Sequence, residues 1–176
     1  MNEFNDEQRG AVKDSGLGSL LKLNKLVIRR DLCKEIANTF DLETEEFDIG
    51  GKRVRMSMKE SEHILSLPSE GDEIKEPPKS TLKEYFSNNK TSGEDFISHF
   101  VLYAIGLYMC PTLQTYVNSE YLALIEDVAN IKNLNWTSLV HNFLIASIRE
   151  YRRVPSTNLK GNLALLQVSQ YFHVTK

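Results

Sequence analysis

The chain has little cysteine, with only two such residues, Cys33 and Cys110. Both fall within apolar helical patterns, where a free cysteine usually behaves as a small buried hydrophobe. Two isolated cysteines provide neither a disulfide framework nor the ligand set of a zinc site. The sequence therefore indicates a protein of a reducing compartment whose core needs no covalent or metal cross-link.

The chain also lacks an excess of positive charge and a segment long enough to span a membrane. A net charge of −3 and a pI near 5.8 give no overall basic field of the kind that attracts nucleic acid. The amino-terminal sequence MNEFNDEQRG is acidic and polar, unlike a signal peptide or an arginine-rich transit peptide. The most apolar stretch, Phe96–Cys110, is shorter than the roughly 20 residues of a transmembrane helix. We expect an intracellular protein, nuclear or cytoplasmic, with no membrane partner.

The stretch Phe96–Cys110 is apolar on nearly every side of a helix, and Pro111 follows it directly. A helix with apolar residues all round is typical of the middle of a protein core. Pro111 ends the helix because a proline disfavours the α conformation of the residue before it. The sequence predicts a buried central helix here.

The remaining periodicities predict one mainly α-helical domain with a small β-hairpin. Residues 1–16 lack apolar periodicity and are predicted to form a flexible arm, so that the helical domain spans residues 17–176. A hairpin is predicted near residues 46–57, because apolar and polar residues alternate on both sides of Gly50-Gly51. Ser119–Ile131 carries a broad apolar face and is predicted to be helical. The next predicted helix has an apolar stripe along one side: Trp136, Leu139, Val140, Phe143, Leu144, Ile148 and Tyr151.

The sequence contains no recognisable catalytic, cofactor or metal motif. None of the four histidines lies in a Gly-x-Ser-x-Gly turn, and no two have metal-ligand spacing. Gly50-Gly51-Lys52 sits in a predicted hairpin and lacks the longer loop of a phosphate-binding motif. We therefore predict no catalytic, cofactor-binding or metal-binding residue and no small-molecule substrate. A hydrolase built on His99 or His141 with a neighbouring serine is a remote alternative.

Basic residues of the hairpin and of the helix at 136–153 are the candidates for phosphate contacts. They are Lys52, Arg53, Arg55, Arg149, Arg152 and Arg153. Acidic residues crowd the hairpin, so these cations are also explained as parts of a wet protein surface. A nucleic-acid-binding module is accordingly the alternative function.

Three segments, in this order, resemble the plant mobile domain family, whose members are sometimes labelled aminotransferase-like. Residues 47–74 (FDIGGKRVRMSMKESEHILSLPSEGDEI) are similar to its strand–turn–strand–helix opening, in which the helix ends at Leu-Pro. Residues 100–148 contain Cys-Pro-Thr, Tyr-Leu and Asn-Trp in the order of that family. Residues 159–172 (LKGNLALLQVSQYF) are similar to its Leu-x-Gly-Cys segment. Together the three segments cover more than half of the chain.

The resemblance implies a non-enzymatic protein-interaction module related to transposon-derived plant proteins, which are often fused to SUMO-protease-like domains. It also implies a role in gene regulation or silencing in the nucleus. No pyridoxal-lysine context accompanies it. Asn162 stands where the family usually has cysteine, and the chain stops at Lys176 while relatives commonly continue. We therefore expect a stand-alone or truncated derivative of a longer protein.

The last predicted helix, Leu159–Phe172, has apolar residues on two sides and is the candidate partner interface. Its interface residues are predicted to be Leu165, Val168, Tyr171 and Phe172. An uncovered apolar patch usually marks an association site, so we expect self-association or a protein partner here. The alternative is that the segment 17–40 folds back and covers this side.

Overall fold

The computed structural model describes residues 4–23, 26–74, 93–112, 119–154 and 157–174. Within these ranges the chain is mainly helical with one antiparallel hairpin, which confirms the predicted fold class. In chain order the elements are α1 (Asp6–Asp14), a 3-10 turn (Gly18–Lys22), α2 (Arg30–Asn38), β1 (Phe47–Ile49), β2 (Lys52–Val54), α3 (Met58–Leu65), α4 (Glu94–Ala104), a π-helical turn (Ile105–Met109), two 3-10 segments (Ser119–Ile125 and Val128–Asn133), α5 (Trp136–Arg153) and α6 (Leu163–Val174). Among these helices, none combines the length and the apolar content that crossing a membrane requires.

The hairpin forms where the alternating pattern predicts it. β1 and β2 pair antiparallel, with Phe47 opposite Val54. Gly50 and Gly51 turn the chain with φ of 62° and 82°, the left-handed conformation that a two-residue hairpin turn requires. The strand residue Phe47 is only 2% exposed, so the hairpin is anchored to the core through this side chain.

Helix α5 carries the centre of the core on the predicted stripe. Trp136 has no exposed surface, and its indole Nε1 donates a hydrogen bond to the Ile131 carbonyl oxygen over 2.9 Å. Val140, Leu144 and Ile148 follow at helical spacing and are fully buried. Helices α2 and α3 pack against α5, and α6 packs against both α2 and α3.

The amino-terminal segment differs from the flexible arm predicted for residues 1–16. Residues 6–14 form α1, which begins with a capping box between Asn5 and Gln8. Val12 has no exposed surface and belongs to the core. A short helix with one buried apolar side chain shows no apolar periodicity in the sequence, which is why the pattern did not predict α1.

The structure also differs from the helix that was predicted over Ser119–Ile131. The chain forms two 3-10 segments there, interrupted at Glu126 and Asp127. The Asp127 side chain accepts a hydrogen bond from the Asn130 backbone N–H at 3.3 Å and so starts the second segment. An aspartate that binds nearby backbone groups competes with a continuous helix, which explains the break.

Helix α4 and the π-helical turn after it form the predicted central helix, but only part of this stretch is buried. Val101 and Ile105 have no exposed surface, as expected. The opposite face carries Tyr103 and Leu107, which are 61% and 62% exposed. The prediction of burial on every side was therefore wrong for this face.

Candidate functional site

An apolar groove runs along the exposed face of α4. His99, Tyr103 and Leu107 follow each other at intervals of four residues, so one line on the helix surface presents all three to solvent. The groove has a volume of about 550 Å³ and is lined by Phe4, Leu20, Leu23, Phe96, His99, Phe100, Tyr103, Ala104, Leu107 and Tyr108. We call it the α4 groove.

The floor and one end of the α4 groove are held by core packing. Leu20, Phe100 and Ala104 are at most 6% exposed, so the floor belongs to the core itself. The Phe4 ring stands edge-on to Phe96, with ring centroids 5.4 Å apart. These contacts indicate a groove that exists before any ligand arrives.

The other end of the α4 groove is formed by the π-helical turn. There the Cys110 N–H donates to the Ile105 carbonyl oxygen over 2.8 Å, closing a wider turn than that of an α-helix. Leu107 lies in the middle of this turn and projects from it. Burial raises the pKa of Tyr108, so its phenol stays neutral and adds no charge to the groove.

A second, acidic pocket adjoins the α4 groove at Phe96, which lines both. This pocket has a volume of about 510 Å³ and is lined by Asn5, Glu7, Gln8, Ala11, Gly93, Asp95 and Phe96. Glu7 lies in the first turn of α1 and Asp95 in the first turn of α4. We call it the acidic pocket.

The predicted partner interface on α6 is largely closed. Leu165 has no exposed surface, so its assignment to an interface was wrong. Val168 and Phe172 are half-buried, and Tyr171 alone of the four is exposed, at 52%. Phe172 packs edge-on against His63, with ring centroids 5.8 Å apart.

The segment before and within α2 packs against α6 beside α3. The Gln167 side chain accepts a hydrogen bond from the Arg29 N–H at 2.8 Å and donates one to the Val27 carbonyl oxygen at 3.2 Å. The Cys33 thiol points to the Leu163 carbonyl oxygen at 3.6 Å. The structure thus agrees with the alternative in which the segment 17–40 folds back over the last helix.

The fold brings four of the six predicted phosphate-contact residues to one acidic loop between α2 and β1. Arg149 pairs with the Glu45 carboxylate, and Arg53 pairs with Asp41 at 3.5 Å. Two further arginines donate to backbone carbonyl oxygens at the edges of the loop: Arg152 to Phe40 and Arg55 to Thr44. The remaining two, Lys52 and Arg153, are exposed.

A serine–histidine pair lies between α3 and α5, and its histidine is one of the two that the remote hydrolase alternative names. His141 Nδ1 is 2.8 Å from the Ser61 hydroxyl. The same hydroxyl also lies 3.2 Å from the Ser57 carbonyl oxygen, within hydrogen-bond distance. Ser61 has no exposed surface, so a substrate cannot reach its oxygen. The pair joins two helices and provides no accessible nucleophile.

A neighbouring polar cluster joins α3 to α6. The Glu60 carboxylate lies 3.1 Å and 3.2 Å from His173 Nε2 and accepts a hydrogen bond from the Ser169 hydroxyl. Across the described ranges, no group of three or more histidine, cysteine, aspartate or glutamate side chains is arranged to hold a metal ion. Both polar clusters therefore have a structural explanation.

Comparison with known proteins gives a family match. No curated protein and no solved structure matches the chain. A family model described as Domain of unknown function (DUF8566) matches residues 1–167. Because the match covers nearly the whole sequence, the chain belongs to this family of unknown function.

Proposed function

We propose that the chain is a non-enzymatic protein-interaction module whose α4 groove binds an apolar segment of a partner protein. The observation that carries the proposal is the exposure of Tyr103 and Leu107 on a helix whose other face is core. Large apolar side chains grouped around a concave surface are typical of sites that receive another chain. Among the described residues, no side chain covers these two.

The free energy available in the α4 groove fits a binding site of moderate affinity. Burying a fully exposed large apolar side chain contributes roughly 1.5–3 kcal/mol. Tyr103, Leu107 and Leu23 are between 38% and 62% exposed, so that completing their burial contributes about 2–5 kcal/mol in total. A micromolar complex needs about 8 kcal/mol, and the partner's own apolar side chains on the preformed floor supply part of the difference.

The charges support this proposal over the nucleic-acid alternative. Phosphate binding depends on cations that are free to replace the counterions of the nucleic acid. Arg149 and Arg53 already face carboxylates, and Arg55 and Arg152 hold backbone carbonyls of the same loop. The resemblance to the plant mobile domain extends the proposal to a role in gene regulation or silencing in the nucleus, and that part stays a prediction.

A displayed peptide library selected on the wild-type chain tests the proposal. We expect the enriched peptides to be apolar and to lose at least about tenfold in affinity for Leu107→Glu and Tyr103→Glu. Leu42→Glu and Tyr171→Glu are matched controls, because Leu42 and Tyr171 are also exposed but lie outside the α4 groove. A selection without binders, or binders unaffected by the groove variants, overturns the proposal.

A further inference from the structure

We infer that the segment received by the α4 groove is an amphipathic helix of another protein with a lysine or arginine cluster at one end. This inference rests on the proposed function and specifies the chemistry of the partner. Its apolar face would occupy the α4 groove, while its basic end would occupy the acidic pocket. The two sites adjoin each other at Phe96, which lines both of them.

The length of the combined site matches a short helix. Asp95, Tyr103 and Leu107 follow each other along α4 and the π-helical turn. At a rise of about 1.5 Å per residue, the distance along the axis from Asp95 to Leu107 is about 18 Å. A partner helix of about three turns spans the same length, and its anchors at spacings of three and four residues would meet one groove.

The acidic pocket carries a net negative charge after its neighbours are counted. Four carboxylates lie in the first turns of α1 and α4: Asp6, Glu7, Glu94 and Asp95. The amino termini of the two helices offset about half a charge each. Arg9, whose Nε donates to the Phe4 carbonyl oxygen at 3.0 Å, offsets one more. The described residues therefore leave about two negative charges at this end, and these favour a cationic ligand.

The described lining of the α4 groove contains no carboxylate and no lysine or arginine, which makes the acidic pocket an orienting element. A basic residue at one end of the partner helix would gain attraction only when that end lies at the Phe96 side. The charge would thus determine the direction of the bound helix and exclude segments with acidic ends.

A second copy of the chain fits the site less well than a basic helix of another protein. Among the described helices, α5 has the most basic end, with Arg149, Arg152 and Arg153. Arg149 and Arg152 are engaged by the loop between α2 and β1, and the apolar stripe of α5 forms the core. This helix has no free apolar face to offer to the groove.

The experiment takes the peptides that the library selection enriches on the wild-type chain. Their affinities are measured by fluorescence anisotropy at low and at high salt. We expect enriched peptides to carry lysine or arginine at one end and to bind about tenfold more weakly to a Glu7→Gln/Asp95→Asn double variant. The matched control is Asp31→Asn/Glu35→Gln on α2, which removes the same two charges elsewhere and should leave the affinity unchanged. Circular dichroism checks that every variant is folded.

The outcomes separate the two proposals. The inference is overturned if the enriched peptides have neutral or acidic ends, or if they bind the wild type and the double variant equally well. The proposed function survives these outcomes as long as Leu107→Glu still abolishes binding. Failure of Leu107→Glu to weaken any peptide overturns the proposed function, and the inference falls with it. Light scattering adds one more outcome: a concentration-dependent dimer that Leu107→Glu abolishes would identify a second copy as the occupant and overturn the inference.

Discussion

Gly71 lies so close to Asn133 that a Cβ atom at position 71 would stand 1.9 Å from the Asn133 carbonyl oxygen. The close approach allows a parallel β-bridge between Asp72 and Leu134. In this bridge the Asp72 N–H donates to Asn133 over 2.9 Å, and the Asn135 N–H donates to Asp72 over 3.0 Å. The contact joins the loop after α3 to the start of α5, and only glycine fits there.

Replacing this glycine should unfold part of the chain. We expect Gly71→Ala to lower the free energy of unfolding by more than about 3 kcal/mol, because the new Cβ collides with backbone and the φ of +124° suits glycine alone. Gly50→Ala is the control: its φ is also positive, at 62°, but no atom lies within 4 Å of the added Cβ. The free energy of unfolding of the Gly50→Ala variant should fall by about 1–2 kcal/mol. Equal losses in urea denaturation would contradict the steric argument.

Much of the fold could be predicted from sequence because it depends on local patterns. The hairpin follows from alternation around Gly50-Gly51, and α5 follows from its apolar stripe ending in Ile148. The amino-terminal helix α1 could not be predicted in this way, since Val12 is its one fully buried side chain. Contacts with distant residues, which no local pattern records, stabilise such a segment.

The candidate site was harder to predict than the fold. Phe96–Cys110 is apolar on nearly all sides, so apolarity cannot show which face the rest of the chain covers. One signal was present: His99 is the polar member of the line that continues with Tyr103 and Leu107. By contrast, the predicted interface residue Leu165 is buried, and no local pattern shows that the backbone at Val27 and Arg29 binds Gln167 on the same helix.

A single alanine tests whether α1 is folded in solution. We expect Gly10→Ala to raise the free energy of unfolding by about 0.5–1 kcal/mol, because alanine favours the interior of a helix. The position offers space, since no atom lies within 4 Å of the added Cβ. Val12→Ala should lower the free energy of unfolding by about 2 kcal/mol, because it removes buried apolar groups from the core. If residues 1–16 were a flexible arm, neither variant would change the urea midpoint.

His141 should make the fold sensitive to acid. Burial lowers its pKa below the usual 6.5, with Glu60 opposing this shift and Arg149 adding to it. The unfolded chain therefore binds the proton more readily than the folded one. The contribution of neutral His141 is complete above pH 6.5 and is lost as the pH falls through the lower pKa of the folded state.

The variant His141→Gln tests this dependence, because glutamine does not titrate. We expect its stability to fall less than that of the wild type between neutral and mildly acidic pH, measured as urea midpoints. Asn142→Gln, a neighbouring change without a titrating group, should keep the wild-type dependence. Identical pH profiles for His141→Gln and the wild type would refute the assignment.

Both cysteines should be inert while the chain is folded. Burial raises the pKa of Cys33 to about 11 and that of Cys110 to about 12, so neither is a thiolate at neutral pH. We expect no reaction with dithionitrobenzoate in the native state and two reacting thiols in denaturant. A Lys52→Cys variant, exposed at the hairpin turn, is the positive control and should add one thiol that reacts at once. Rapid labelling of the native wild type would contradict the burial of these side chains.

The last prediction concerns nucleic acid. We expect the wild type to bind DNA and RNA weakly, with a shallow dependence on salt, because Glu45 and Asp41 already neutralise Arg149 and Arg53. A Glu45→Gln/Asp41→Asn double variant keeps the shape of both side chains and the acceptor that binds the Glu43 and Thr44 N–H groups. Removing these two charges should strengthen the binding of nucleic acid. The dependence of the affinity on salt should become steeper by at most the equivalent of about two phosphate contacts. A steep wild-type dependence that Arg149→Gln and Arg152→Gln abolish would instead favour the nucleic-acid module.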